Sequence, residues 1–280
     1  MDYTKSMWQD FIHRRLRVPY KLHVTTYQSP RRYRVTVIML HGIGSSAKMW
    51  DQVAKQLPDD IRIIAFDLLG FGASPKPSWK AYSAKTQADS IVTTLFGLGV
   101  RGPVVVVGHS LGALVAVEFA RRYPIMTKSL VLISPPFYDA TATSARLAYR
   151  PEALLKKFHE LMQGRPDDAG RLLQLASKYN LVNRGFVASD VNVSAFLATL
   201  ETAIINQTSM RDAATIKRPI RIISGTLDAL VLKRNIDQLV RQNSNITHRR
   251  VIGGHEIIGT MQSATVRSLV EATKDAENRV

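Results

Sequence analysis

The pentapeptide Gly108-His109-Ser110-Leu111-Gly112 stands between a run of four valines and the amphipathic stretch LGALVAVEFARR. A serine in G-x-S-x-G at a strand-to-helix junction suits a nucleophile. The chain must turn sharply there to push the hydroxyl clear of the sheet, and small residues two positions to either side let the backbone pass close to itself. The alternative for Ser110 is a plain helix N-cap. A hydroxyl attacks poorly unless a base removes its proton and an acid orients that base. Asp228, in GTLD after the run RIIS, and His255, in GGH after ITHRRVI, each follow a β-branched run and fit those two roles. The chain order Ser110, Asp228, His255 is the one that accompanies this kind of elbow. Asp139, beyond Pro135-Pro136, is the competing acid. His13, His23, His159 and His248 fall in surface-like or cap segments.

Acyl chemistry also needs donors for a developing oxyanion, and backbone N–H groups at a strand end and a helix start supply them. His41-Gly42-Ile43-Gly44 follows the run RVTVIML. The N–H groups of Ile43 and Leu111 are therefore the expected pair, with His41, Gly42, Gly44 and His109 shaping the site and His41 acting as a structural hydrogen-bonding group. Residues 67 to 74, DLLGFGAS, read as a turn forming one wall, with Asp67 satisfied by backbone donors. A phosphate cradle is disfavoured, because no Lys-Ser/Thr follows these glycines and the first strand carries no G-x-G-x-x-G.

The elements that must position these groups are legible as alternating segments. RVTVIML (34–40), IRIIAF (61–66), VVVVG (104–108), SLVLIS (129–134), PIRIISG (219–225) and ITHRRVI (246–252) read as buried parallel strands, and KLHVTTYQ (21–28) as an added edge strand. Helical spacing occupies 46–57, 83–98, 111–122, 233–242 and 258–276. The fold class is therefore α/β, a doubly wound, mostly parallel sheet. Between the fourth and fifth parallel strands, residues 137–215 lose the β-branched runs and show Leu and Phe at helical spacing, so they are expected to form a helical cap. The core would then comprise residues 1–136 and 216–280.

Composition bounds the rest. The chain has 280 residues, 45% of them hydrophobic, no Cys, and 38 Lys+Arg against 22 Asp+Glu, a net +16. Such a chain is globular, and without Cys it builds no disulfide, zinc-thiolate or iron-sulfur site; no metal site is expected. No apolar run approaches the roughly 18 residues that span a bilayer. Asp2 and Asp10 interrupt the amino-terminal stretch where a signal peptide would be basic and then apolar, so a cytoplasmic location is expected. Residues 1–34 hold eight Lys/Arg against those two Asp. Trp8, Phe11, Ile12 and Leu16 fall at helical spacing among them, so residues 1–18 read as a basic amphipathic helix packed on the core. A membrane-surface contact is the alternative, and no nucleic-acid partner is expected.

HGIG (41–44), DLLGFGAS (67–74), GHSLGA (108–113), GTLD (225–228) and GGH (253–255) occur in the order found in the α/β-hydrolase superfamily, and the chain resembles its helical-cap serine hydrolases over residues 33–275. The resemblance implies a triad of Ser110, Asp228 and His255, an oxyanion hole at Ile43 and Leu111, a cap over the site and no cofactor. Ser at 110 departs from the carboxylate nucleophile of haloalkane dehalogenases and epoxide hydrolases. Leu111 departs from the G-x-S-W-G of proline iminopeptidases, and Glu256 from the Trp that follows the His in many carbon-carbon bond hydrolases. The expectation is a hydrolase of small or medium carboxylic esters. The alternatives are a receptor or binding protein on the same fold, and an acyl transferase, perhydrolase or carbon-carbon bond hydrolase using the same serine.

Overall fold

The computed structural model describes residues 11–138, 151–163 and 193–277. Its strands are β1 (Val24–Gln28), β2 (Thr36–Leu40), β3 (Arg62–Phe66), β4 (Val104–His109), β5 (Thr127–Ile133), β6 (Ile220–Gly225) and β7 (Ile246–Val251). They form one sheet in the order β1-β3-β2-β4-β5-β6-β7. All neighbours are parallel except β1, which runs antiparallel along β3 at the edge. Each of the seven strands read from the sequence is present, within three residues at either end.

These strands are apolar on both faces because both faces are covered. Ile38, Leu40, Ile64, Phe66, Val104 and Val106 point into one core layer, while the alternate residues Val37, Met39, Ile63, Ala65, Val105 and Val107 point into the other. The first layer is closed by α2 (Ala84–Gly97), α3 (Leu111–Arg122) and α7 (Lys233–Gln242); the second by α1 (Asp51–Ala54), with the turn Ala47–Trp50 before it, and by α8 (Thr260–Glu277). Helix α3 is buried from Leu111 to Ala120, since it lies against the sheet with α2 beside it.

Between β5 and β6 the described residues form helices: α4 (Pro151–Gln163), α5 (Val193–Thr199) running into the wider turn Leu200–Ile205, and α6 (Ser209–Thr215). Phe137, Phe196, Leu200 and Met210 join the same apolar layer as α2 and α3, and α6 packs on α3 and α7. The competing acid, Asp139, lies outside the described residues.

The amino-terminal segment differs from expectation. Phe11–Arg15 is a single helical turn with no buried residue, and Phe11, Ile12 and Leu16 are exposed rather than packed on the core. Trp8 lies outside the described residues. Among the described residues, no helix is long and apolar enough to cross a membrane.

Candidate active site

Ser110 ends β4 and begins α3 with φ 52° and ψ −116°, a conformation L-residues rarely hold. Its hydroxyl makes no capping bond, so the N-cap alternative does not describe it. The flanking glycines are sterically required. A Cβ on Gly108 would sit 2.2 Å from the Gly112 carbonyl oxygen, and one on Gly112 would sit 2.2 Å from that of Leu40. The elbow is thus pressed against its own helix on one side and against the end of β2 on the other. The Ser110 N–H is held by the Ile133 carbonyl of β5 at 2.9 Å.

Asp228 and His255 come together from the ends of β6 and β7. His255 Nδ1–H donates to Asp228 Oδ2 at 2.8 Å, and the Leu230 N–H donates to Asp228 Oδ1 at 2.9 Å. The acceptor-only carboxylate fixes the proton on Nδ1 and leaves Nε2 with its lone pair. Burial pushes the Asp228 carboxyl up, but the His255 hydrogen bond and charge, the Ser134 hydroxyl and the Leu230 N–H outweigh it and hold the group below its ordinary value. The loop carrying His255 approaches the elbow from the other side: His109 Nε2–H donates to the His255 carbonyl at 2.8 Å, and the two rings lie 5.0 Å apart. Gly225 lets the β6 and β7 ends meet, since a Cβ there would lie 2.2 Å from the Gly253 carbonyl oxygen.

The donors expected for an oxyanion are free among the described residues: neither the Ile43 nor the Leu111 N–H has an acceptor. The turn that presents Ile43 is locked by His41, whose Nδ1–H donates to the Gly42 carbonyl at 2.7 Å while its Nε2 accepts the Leu68 N–H at 2.9 Å. Gly44, at φ 72°, completes that turn. Burial lowers His41 to about 4 and His109 to about 3, so both rings are neutral hydrogen-bonding groups. Asp67 accepts the N–H groups of Ala47 and Ala73, as the sequence suggested. It also takes the His23 ring at 3.1 Å, a pairing across 44 positions that no local motif announces.

An apolar cavity opens onto Ser110. Ile43, Pro136, Tyr138 and Leu230 line it from the sheet side, and Leu155, Phe158, Phe196, Leu200 and Ile204 from the helices between β5 and β6. The Tyr138 hydroxyl donates to the Leu230 carbonyl, which turns its polar end to the protein. Phe158, Phe196 and Ile204 therefore stand where an apolar pocket was expected. Leu147, Tyr149, Leu175, Tyr179, Phe186 and the side chain of Leu154 lie outside the described residues. Among the described residues, no three His, Asp or Glu side chains are grouped so as to hold a metal ion.

A strained serine, a paired Asp and His, two free N–H groups and an apolar cavity meet at the carboxyl ends of the strands, where open α/β sheets carry their sites. Similarity to other proteins follows the same line. A family model described as alpha/beta hydrolase fold matches residues 35–260. The chain is 34% identical over 134 residues to the Arabidopsis thaliana protein named "Probable lysophospholipase BODYGUARD 4", covering 45% of this chain and 32% of that protein. It is 38% identical over 117 residues to the lipase LipV of Mycobacterium tuberculosis, covering 41% of each. The chain thus spans less than half the length of these curated relatives. The fold matches an esterase from Exiguobacterium antarcticum with a TM-score of 0.74 at 16% identity, covering 91% of this chain and 96% of the other. It matches a thermophilic esterase from Thermogutta terrifontis with a TM-score of 0.69 at 20% identity, covering 91% and 94%.

Proposed function

The chain belongs to the alpha/beta hydrolase fold family, and from that premise we propose that it is a serine hydrolase of carboxylic esters with an apolar acyl group. The observation that carries this reading is the 2.8 Å His255–Asp228 pair set beside a strained serine whose hydroxyl is uncommitted at the mouth of a carbon-lined cavity.

In the first half-reaction the Ser110 hydroxyl attacks the ester carbonyl carbon while His255 Nε2 takes its proton. Asp228 keeps the imidazole in the Nδ1–H tautomer and balances the imidazolium that forms. The N–H groups of Ile43 and Leu111 receive the oxyanion; each such donor is commonly worth about 10²- to 10³-fold in rate. His255 then gives the proton to the departing alkoxide, and the acyl group stays on Ser110. Water enters, His255 accepts its proton, and collapse of the second tetrahedral intermediate releases the acid and restores the serine.

Substrate class follows from the cavity. Among the described residues, its walls offer a carbonyl-bonded tyrosine and hydrocarbon, with no cation for a carboxylate and no acid for an amine. An alkyl chain gains roughly 0.8 kcal/mol per buried CH₂ there, whereas a charged acyl group loses its hydration without a partner. The names of the curated relatives, a lipase and a lysophospholipase, support lipid-like esters within this class. A p-nitrophenyl ester series of graded acyl length tests the reading. We expect kcat/KM to rise with chain length to an optimum and to vanish in Ser110→Ala. Equal turnover of all chain lengths, or an active Ser110→Ala, contradicts it.

A further inference from the structure

We propose that Ser134 is a positioning residue for the Asp228–His255 pair, its hydroxyl serving as a third donor that holds the Asp228 carboxylate turned toward His255. The proposal rests on the triad reading above and adds to it a residue that no motif marks.

The argument starts from the backbone. Ser134 follows the last residue of β5, the strand between β4, which ends in the elbow, and β6, which leads to Asp228. The carbonyl of Ile133 takes the Ser110 N–H at 2.9 Å, and the next N–H, that of Ser134, donates to Ile223 of β6 at 2.8 Å. Ser134 therefore stands at the seam between the nucleophile's strand end and the acid's. There its φ is 47°. Among the described residues only Arg17, Ser110 and Ser134 are non-glycines with positive φ, and the two buried ones are these serines on adjacent strand ends. Glycine adopts this conformation without strain, so a serine kept there implies a use for its side chain.

The side chain itself points the same way. Ser134 is fully buried, and its Oγ reaches no well-aligned hydrogen bond. Such a group is costly unless something employs it. The Ser134 hydroxyl is among the groups that keep the Asp228 carboxyl ionised. An ionised carboxylate offers about four lone-pair sites. His255 Nδ1–H and the Leu230 N–H occupy one on each oxygen, which leaves capacity for the hydroxyl.

The consequence is a fixed pair. A hydroxyl on the carboxylate holds Asp228 turned toward the imidazole, so the His255 ring stays placed to take the Ser110 proton and the carboxylate stands ready to balance the imidazolium that forms.

Two variants of the full chain separate this role from a backbone one, with rates taken per site titrated by a fluorophosphonate. Ser134→Ala removes the hydroxyl and keeps the strain, and Ser134→Gly removes both. We expect each to lose kcat by roughly tenfold at unchanged KM. Ser134→Gly should be at least as heat-stable as the native protein. A Gly variant with native kcat overturns the proposal, even if the Ala variant is impaired, because the position then needs only backbone freedom. Failure of the fluorophosphonate to label Ser110 in the native protein overturns instead the triad reading on which this one rests.

Discussion

Adding one methyl group at Gly112 should disable the site without touching any side chain in it. Gly112 lies on the first turn of α3, and a Cβ there would stand 2.2 Å from the Leu40 carbonyl oxygen, 2.7 Å from the Leu40 carbonyl carbon and 2.8 Å from the His41 carbonyl oxygen. All three are backbone atoms at the end of β2, so no side chain can swing away. Ordinary contact begins at 3.4 Å, so in Gly112→Ala the helix start and the strand end must part by about 1.2 Å. That movement separates the Leu111 N–H from the Ile43 N–H, the two proposed oxyanion donors. A misplacement of about 1 Å commonly costs on the order of 10²-fold in rate, and we expect kcat to fall by that factor. Overpacking of this kind should also remove about 1–3 kcal/mol of stability. The control is Gly254→Ala, beside His255, where a Cβ meets nothing within 4 Å; its stability should stay within about 0.5 kcal/mol of native. The assay is steady-state ester hydrolysis per titrated site, with urea unfolding of the same samples. Native kcat and unfolding midpoint in Gly112→Ala, or equal damage in the control, refutes the reasoning.

Asp228→Asn should lower kcat by on the order of 10³- to 10⁴-fold, since the amide favours the wrong imidazole tautomer; steady-state kinetics reads this, and a loss below tenfold contradicts the assignment. His41 and His109 are depressed to about 4 and about 3 by burial, so below the ordinary histidine value the unfolded chain binds protons that the folded chain does not. Stability should therefore be fully present above about pH 6.5 and fall toward pH 4.5 by roughly 1.4 kcal/mol per pH unit for each histidine. Urea midpoints that stay flat across that window would count against both rings being neutral. Ile204→Phe, which fills the cavity from the Leu200–Ile205 turn, should shift the optimum of the ester series to shorter acyl chains; an unchanged optimum places the chain elsewhere. Matched neutral and carboxylate-bearing esters at low and high salt should differ in favour of the neutral one, with little salt dependence. A salt-sensitive preference for the charged ester contradicts the apolar-pocket reading.

The strands, and the residues now proposed for the site, were legible in the sequence for identifiable reasons. A strand covered on both faces must be apolar throughout, so runs such as VVVV and the RIIS of β6 declare themselves. The G-x-S-x-G glycines are visible because the elbow's contacts with Gly112 and Leu40 forbid any larger residue. What stayed hidden depends on distance along the chain. Ser134 looks like the last residue of an ordinary strand; only its positive φ and its burial at the strand end single it out. The His23–Asp67 pair and the closure of Tyr138 on the Leu230 carbonyl join segments with no common motif. The amino-terminal stripe of Phe11, Ile12 and Leu16 showed the opposite error, since residues at helical spacing there lie exposed.

The most direct test of the account is covalent. The native protein and Ser110→Ala are incubated with a fluorophosphonate, digested, and mapped by mass spectrometry, with unlabelled ester present in a parallel sample as competitor. The account predicts one phosphonylated residue, Ser110, protection by the competing ester, and no labelling in the variant; a label on another serine, or none in a folded native protein, would contradict it.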